Sequence, residues 1–228
     1  MTSSNNARRK TPSARTRVRR FKERGRYDYA TVTEILDAGV MCHVGFVFEG
    51  YPVVIPTLYW RDERRLLLHG SIASRMLNAI ESVDVCVTVT HLDAIVLTRS
   101  AFHHSANYRS VSVFGRPEVL PRDEQRTQLR NFMDSLFPGR WDELRPLRAR
   151  ELRATRILAL PIDEASAKVR HGPPDEPKAD REWPAWAGLI PLESQIGPPI
   201  PDERSSAIGF EAPSIRRLGS SAGSLDGG

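Results

Sequence analysis

Arg64 to Arg75 is the stretch of this 228-residue chain with the most chemistry in its spacing: Arg-Arg-Leu-Leu-Leu-His-Gly-Ser-Ile-Ala-Ser-Arg. An apolar strand runs into Gly70-Ser71, and a short helix follows with Arg75 in its first turn. A helix start leaves backbone N–H groups unpaired and carries the positive end of the dipole. Gly70 allows close backbone approach, Ser71 and Ser74 add hydroxyls, and Arg75 adds a planar, permanently charged donor suited to phosphate. His69, Gly70, Ser71, Ser74 and Arg75 therefore read as a phosphate seat. The competing reading is that Ser71 only caps a helix and Arg75 is solvated.

Two further groups invite a ligand. Along Asn107-Tyr108-Arg109-Ser110-Val111, alternation turns Tyr108, Ser110 and Ser112 one way and Arg109, Val111 and Val113 the other. Arg109 thus shares a face with apolar residues and needs an anion. A bound phosphate is one candidate; a salt bridge to Asp84 or Asp93 is the other. In Val53-Val54-Ile55-Pro56-Thr57, Pro56 lacks an N–H, so the strand can turn carbonyls or the Thr57 hydroxyl toward a ligand; a plain edge strand marked by proline is the alternative.

Other chemistries lack their spacing. His103-His104 point apart on an extended segment, His43, His69 and His91 are scattered, and there is no His-x-x-x-His or Cys-x-x-Cys, so no structural zinc site is expected. One His is enough for a haem iron, and that reading stays open. The one Gly-x-Ser-x-Gly, Gly219 to Gly223, falls in the expected disordered tail, and the Gly-x-Gly-x-x-Gly and Gly-x-x-x-x-Gly-Lys fingerprints are absent, which argues against a hydrolase elbow, a Rossmann fold and a P-loop.

The elements that must hold these residues follow from periodicity. A helix is expected over 28–38, with Val32, Ile35 and Leu36 on one face and Gly39 stopping it. Strands are expected over 40–48, 51–59, 66–69, 83–90, 94–98, 108–119, 157–162 and 167–170. Pro52 and Pro56 put part of the second strand at an edge or bulge. Helices are expected over 72–81 (Ile72, Met76, Leu77 and Ile80 inward), 122–136 and 141–144. Short strands, tight turns and few helices predict a mainly β fold, a closed or nearly closed antiparallel barrel with peripheral helices, rather than a doubly wound sheet.

Ten of the Lys and Arg residues lie within 8–26 against one acid, Glu23, although the whole chain carries a formal charge of only +5. Such an arm binds nucleic acid or stays solvated; few aromatics and no recognition motif accompany it, so a nucleic-acid partner is not expected. No run approaches the roughly 20 apolar residues of a membrane helix, and no signal peptide is recognisable. Cys42 and Cys86 read as buried thiols of a reducing cytoplasm. The expected organisation is a disordered basic arm over 1–16, a barrel over 17–172, a Pro-rich extension over 173–203 and a disordered tail over 204–228.

In order and spacing, Arg26-Tyr27-Asp28, Met41-Cys42-His43-Val44-Gly45, Pro56-Thr57-Leu58-Tyr59-Trp60, Leu68-His69-Gly70-Ser71, His104 through Val111, Lys168-Val169-Arg170 and Trp186 through Pro191 resemble the pyridoxamine 5′-phosphate oxidase-like superfamily of FMN-binding split barrels. The branch resembled is that of flavin-nucleotide-binding proteins related to nitroimidazole-resistance proteins. The resemblance implies an antiparallel split β-barrel and a homodimer with FMN at the subunit interface. It implies that Ser74 and Arg75 hold the phosphate, with Met76 where true oxidases often have Lys. Val54, Ile55, Pro56 and Thr57 would run along the isoalloxazine edge, and Tyr108, Arg109 and Ser110 would reach the flavin from the partner or the same barrel. The Trp183–Pro191 tail would cover the flavin face. The Arg and Trp signature that grips pyridoxal phosphate is not recognisable, so vitamin B6 oxidation is not implied. What is implied is a flavin-dependent oxidoreductase acting on a small organic molecule; a non-catalytic flavin carrier or sensor, or a barrel holding haem or deazaflavin, are the alternatives.

Overall fold

The computed structural model describes residues 11–208. Ten strands form one antiparallel system: β1 (Gly25–Arg26), β2 (Met41–Phe48), β3 (Tyr51–Asp62), β4 (Arg65–Ser71), β5 (Val85–Leu97), β6 (Ser105–Gly115), β7 (Glu118–Val119), β8 (Thr155–Pro161), β9 (Glu164–Arg170) and β10 (Gly188–Pro191). Their order is β1-β9-β6-β5-β2-β3-β4-β8-β7, with β10 alongside β5. The helices are α1 (Tyr29–Asp37), α2 (Arg75–Ile80), α3 (Arg122–Leu136), α4 (Arg140–Glu143), α5 (Ala149–Ala154) and α6 (Glu203–Ile208).

The main core lies inside the curled sheet. Val44, Val87, Val111 and Val113 from alternate strand positions meet Leu66, Leu68, Leu158 and Leu160, and Val32, Ile35 and Leu36 of α1 close the end. A second, smaller core lies on the other face of β3, β4 and β8, where Trp60, Leu67 and Ile157 pack against Phe132 of α3. Strict alternation along β4 is what lets one strand serve both cores.

α1 starts at Asp28, whose carboxylate accepts from Thr31 N–H at 2.8 Å. At its other end the buried Tyr59 hydroxyl donates to Leu36 O. Burial pushes the Tyr59 phenol up, so it remains a donor. The β2–β3 hairpin closes through Glu49 (φ 49°) and Gly50 (φ 84°), the paired left-handed residues of a type I′ turn.

Several expectations are revised. Residues 83–90 and 94–98 are one continuous strand, β5, because a bulge at Asp93 carries the pairing past Leu92. The helix expected over 72–81 begins only at Arg75, and Ile72 is exposed rather than inward. Two strands (β1 and β10) and two helices (α5 and α6) were not expected; α6 occupies the described start of the presumed disordered tail. Much of the expected 1–16 arm lies outside the described residues, but Arg15 within it pairs with Glu164 and with Asp84 at 3.3 Å. Cys42 is buried, its thiol pushed up to about 12 by burial, while Cys86 is half-buried. No helix among the described residues is long and apolar enough to cross a membrane.

Removing the Tyr59 hydroxyl takes one of two donors from the Leu36 carbonyl, which keeps the Gly39 N–H at 3.3 Å. Tyr59→Phe is therefore expected to lower stability by about 0.5–1.5 kcal/mol, the net worth of one hydrogen bond; an unshifted urea midpoint would show that this bond contributes nothing.

Candidate functional site

β3 and β4 pair over Tyr59–Asp62 and Arg65–Leu68. Before Tyr59 and after Leu68 they part, and β4 continues against β8 alone. The N-terminal half of β3 keeps β2 as its one strand neighbour. The gap between that half of β3 and the end of β4 with α2 is the split in the barrel.

The polarity of the open edge can be worked out. Tyr59 N–H donates to Val40 O at 3.2 Å. Directions alternate along a strand, so the N–H groups of Ile55 and Thr57 also face β2. Val54 N–H faces the split, as do the carbonyls of Pro52, Val54 and Pro56, while the two prolines have no N–H to leave unpaired there. Pro52 and Pro56 thus sit in the half-strand with a free edge, as their lack of a donor demands. Phe48, Val53, Ile55 and Met76 are half-buried against the main core.

Across the gap, Ser74 caps α2 by accepting from Leu77 N–H at 3.3 Å, and Ser71 Oγ accepts from Ala73 N–H at 3.1 Å. Gly70 leaves room for Leu77: a Cβ there would lie 3.0 Å from Leu77 Cδ1, so that side chain would have to shift by a few tenths of an ångström. Arg75 is exposed and makes no ion pair among the described residues. Its guanidinium carbon lies 5.7 Å from the centre of the Phe48 ring, which leaves the charge available while limiting its motion.

The other sequence-predicted residues fall elsewhere. His69 is turned to the opposite face from Leu68, so it does not join Gly70, Ser74 and Arg75. Its ring lies 4.5 Å from Phe132 and 5.8 Å from Trp60, centre to centre. Nδ1 is buried without a hydrogen-bond partner, and burial pushes the imidazole below its usual range. Arg109 takes the salt-bridge option: Nε and Nη2 reach Asp93 at 2.9–3.3 Å. Tyr108 and Ser110 lie on the other side of β6 from Val111, in register with Arg170 and Lys168 of β9. The tail strand β10 pairs with β5 rather than with the split, occupying the edge that β5 exposes beyond β2. A cleft of about 520 Å³ between α3, α4 and the start of α5, lined by Arg126, Trp141, Leu144, Arg145 and Leu147 among others, contains none of the predicted residues. No cluster of His, Cys, Asp and Glu suited to a metal ion exists among the described residues.

A family model for pyridoxamine 5′-phosphate oxidase matches residues 28–169. The chain belongs to the pyridoxamine 5′-phosphate oxidase family. Among solved structures it is similar to the flavocytochrome Anf3 of Azotobacter vinelandii, at 44% identity and TM-score 0.87, over 90% of this chain and 97% of that one. It is also similar to an FAD and haem binding protein of Mycobacterium smegmatis, at 35% identity and TM-score 0.82, over 86% of this chain and 97% of that one. A proposed 5-nitroimidazole antibiotic resistance protein of Bacteroides thetaiotaomicron shares the fold at 19% identity and TM-score 0.52, over 73% of this chain and 88% of that one. A search of the curated proteins found no match.

His69 supplies a prediction that needs no ligand. A half-buried imidazole with a depressed pKa stays neutral while the unfolded chain, at about pH 6.5, takes up a proton first. Stability should fall as the pH drops below that value. His69→Phe removes both this dependence and the unsatisfied nitrogen, so its urea midpoint should vary less between pH 7 and pH 5; an identical pH slope in the two proteins would refute the assignment.

Proposed function

We propose that this member of the family binds a flavin nucleotide in the split and a haem at His69, and acts as an electron-transfer flavoprotein. The observation that carries the flavin is the open edge of β3 facing an unpaired Arg75. An isoalloxazine edge presents carbonyl oxygens beside a ring N–H, and the split offers Val54 N–H beside the carbonyls of Pro52, Val54 and Pro56. Arg75 would balance the phosphate, with Ser71 and Ser74 beside it. Val53, Ile55, Met76 and Phe48 would exclude water from the ring. The same seat serves FMN or the flavin half of FAD; FAD is favoured by the M. smegmatis relative.

The haem rests on a separate observation: the half-buried His69 ring has no hydrogen-bond partner at either nitrogen among the described residues, and its less buried Nε2 is the one that could reach an iron. An imidazole held neutral by burial between Trp60 and Phe132 is in the state that ligates iron. Both similar structures are described as flavin- or haem-containing by name: a flavocytochrome and an FAD and haem binding protein. When bound, the two groups would supply one- and two-electron redox chemistry, and the protein would supply position and electrostatics. The residues facing the split include no carboxylate or imidazole among those named, so they suit electron transfer more than side-chain acid–base work. A partner subunit has a surface to use: Met41, Val47, Val54 and Leu58 are exposed on β2 and β3, and a second copy packed there would adjoin the split.

The purified protein is expected to show flavin absorbance and a Soret band, and mass spectrometry of the released flavin separates FMN from FAD. Arg75→Ala should weaken flavin binding about tenfold or more, the worth of one charge-assisted contact. His69→Ala should remove the Soret band and leave the flavin. A colourless protein that takes up neither cofactor overturns the proposal; a Soret band that survives His69→Ala overturns the ligand assignment alone.

A further inference from the structure

Among the described residues two charged side chains are buried, Glu176 and Arg170. Glu176 is matched, accepting from Arg99 N–H at 3.0 Å and from the Arg99 guanidinium. Arg170 is not. Only 8% exposed, it donates to Asn107 Oδ1 and forms no ion pair among the described residues. Asn107 is itself fixed, donating to Gly172 O at 3.1 Å. A buried guanidinium facing one neutral acceptor is costly without a counter-charge.

Its surroundings add positive charge. β1 pairs Gly25 with Lys168, which brings the preceding Arg24 to the end of β9. Burial first, then Arg24, pushes the Arg170 guanidinium below its ordinary value; Asp175 and Tyr108 act the other way without cancelling this. Arg24 has one weak pairing, to the exposed Glu23 at 3.7 Å. Beside it Phe21 is 42% exposed and held in the left-handed region at φ 55°, ψ 59°, which a side-chain-bearing residue adopts at a cost. Its ring has the Arg24 guanidinium 4.0 Å and the Arg20 guanidinium 4.9 Å from its centre.

We propose that Arg170, Arg24 and Phe21 form a nucleotide seat, the two guanidiniums taking a phosphate or diphosphate and the exposed ring stacking on the base. Within one chain β2, β5 and β6 separate β9 from β3, so this is a different place from Arg75. The ligand chemistry is that of adenosine diphosphate, supplied either by a free nucleotide or by the adenylate half of a flavin dinucleotide held by a second copy. A nucleic-acid strand would call for successive stacking rings as well as cations; Arg20, Lys22 and Arg26 supply further charge, but Phe21 is the one aromatic residue between Thr11 and Arg26, which suits a single base. The free-nucleotide source does not rest on the flavin reading and the adenylate source does; the test monitors ADP while the flavin spectrum reports the split separately.

The test is calorimetric titration of the full-length protein with ADP and with inorganic phosphate, as purified and after flavin removal. ADP is expected to bind more tightly than phosphate. Arg24→Gln should lower ADP affinity about tenfold, and Phe21→Ala should lower ADP affinity while leaving phosphate affinity unchanged. Arg170→Gln should act as Arg24→Gln does; should it fail to fold, the two surface variants carry the test. Binding of ADP to both forms identifies a free nucleotide, and binding only after flavin removal identifies the flavin's own adenylate. Absence of ADP binding in both forms overturns the proposal. So does an affinity unchanged in Arg24→Gln and Phe21→Ala, or oligonucleotide binding that grows with length where ADP does not bind.

Discussion

Tyr59 and Leu68 form the last rung between the third and fourth strands, and the rest of the site depends on the pairing ending there. Had the ladder continued, the β3 edge would be consumed by backbone bonds and Arg75 would face solvent with nothing opposite. The termination is enforced from both sides. Tyr59 is held by its bond to Leu36 O beneath α1, and β4 is held by seven registered pairs with β8. Each strand has a better partner elsewhere, so they separate without leaving unsatisfied core.

The strong periodicities made most of this legible in the sequence. The helix over 28–38, the β2–β3 hairpin and the helix over 122–136 fall within a few residues of their observed bounds, because Val32-Ile35-Leu36 and the alternating valines each allow one solution. Pro52 and Pro56 gave away the free edge, since a residue without an N–H has no place in a central ladder. His69 was harder. Grouping it with Gly70 and Arg75 ignored the two-residue alternation that turns neighbouring side chains to opposite faces, and no local signal announced a second core under α3. The β10 strand was equally hidden: Gly188-Leu189-Ile190-Pro191 pairs with β5 only because the pairing with β2 stops at Thr88 and leaves that edge of β5 free.

Charge tells a consistent story. Arg15, Arg61, Arg64, Arg65, Arg99, Arg109, Arg140, Arg145 and Arg156 each have a carboxylate. Exposed pairs of this kind contribute little to stability, but they use up charge. Against that background Arg75 and Arg170 are, among the described residues, two positioned cations with no ion pair, the first facing the split and the second buried. One lies at the mouth of the split and one at the far side of the sheet.

The prolines of β3 bear on more than ligand binding. A half-strand with a free edge is a template on which another chain can build, and repeated addition of that kind leads to fibrils. Pro52 and Pro56 interrupt the row of donors every fourth residue, so an incoming strand would find Val54 and little else to pair with. The residues that keep this edge available to a small planar molecule are the same ones that deny it to a polypeptide.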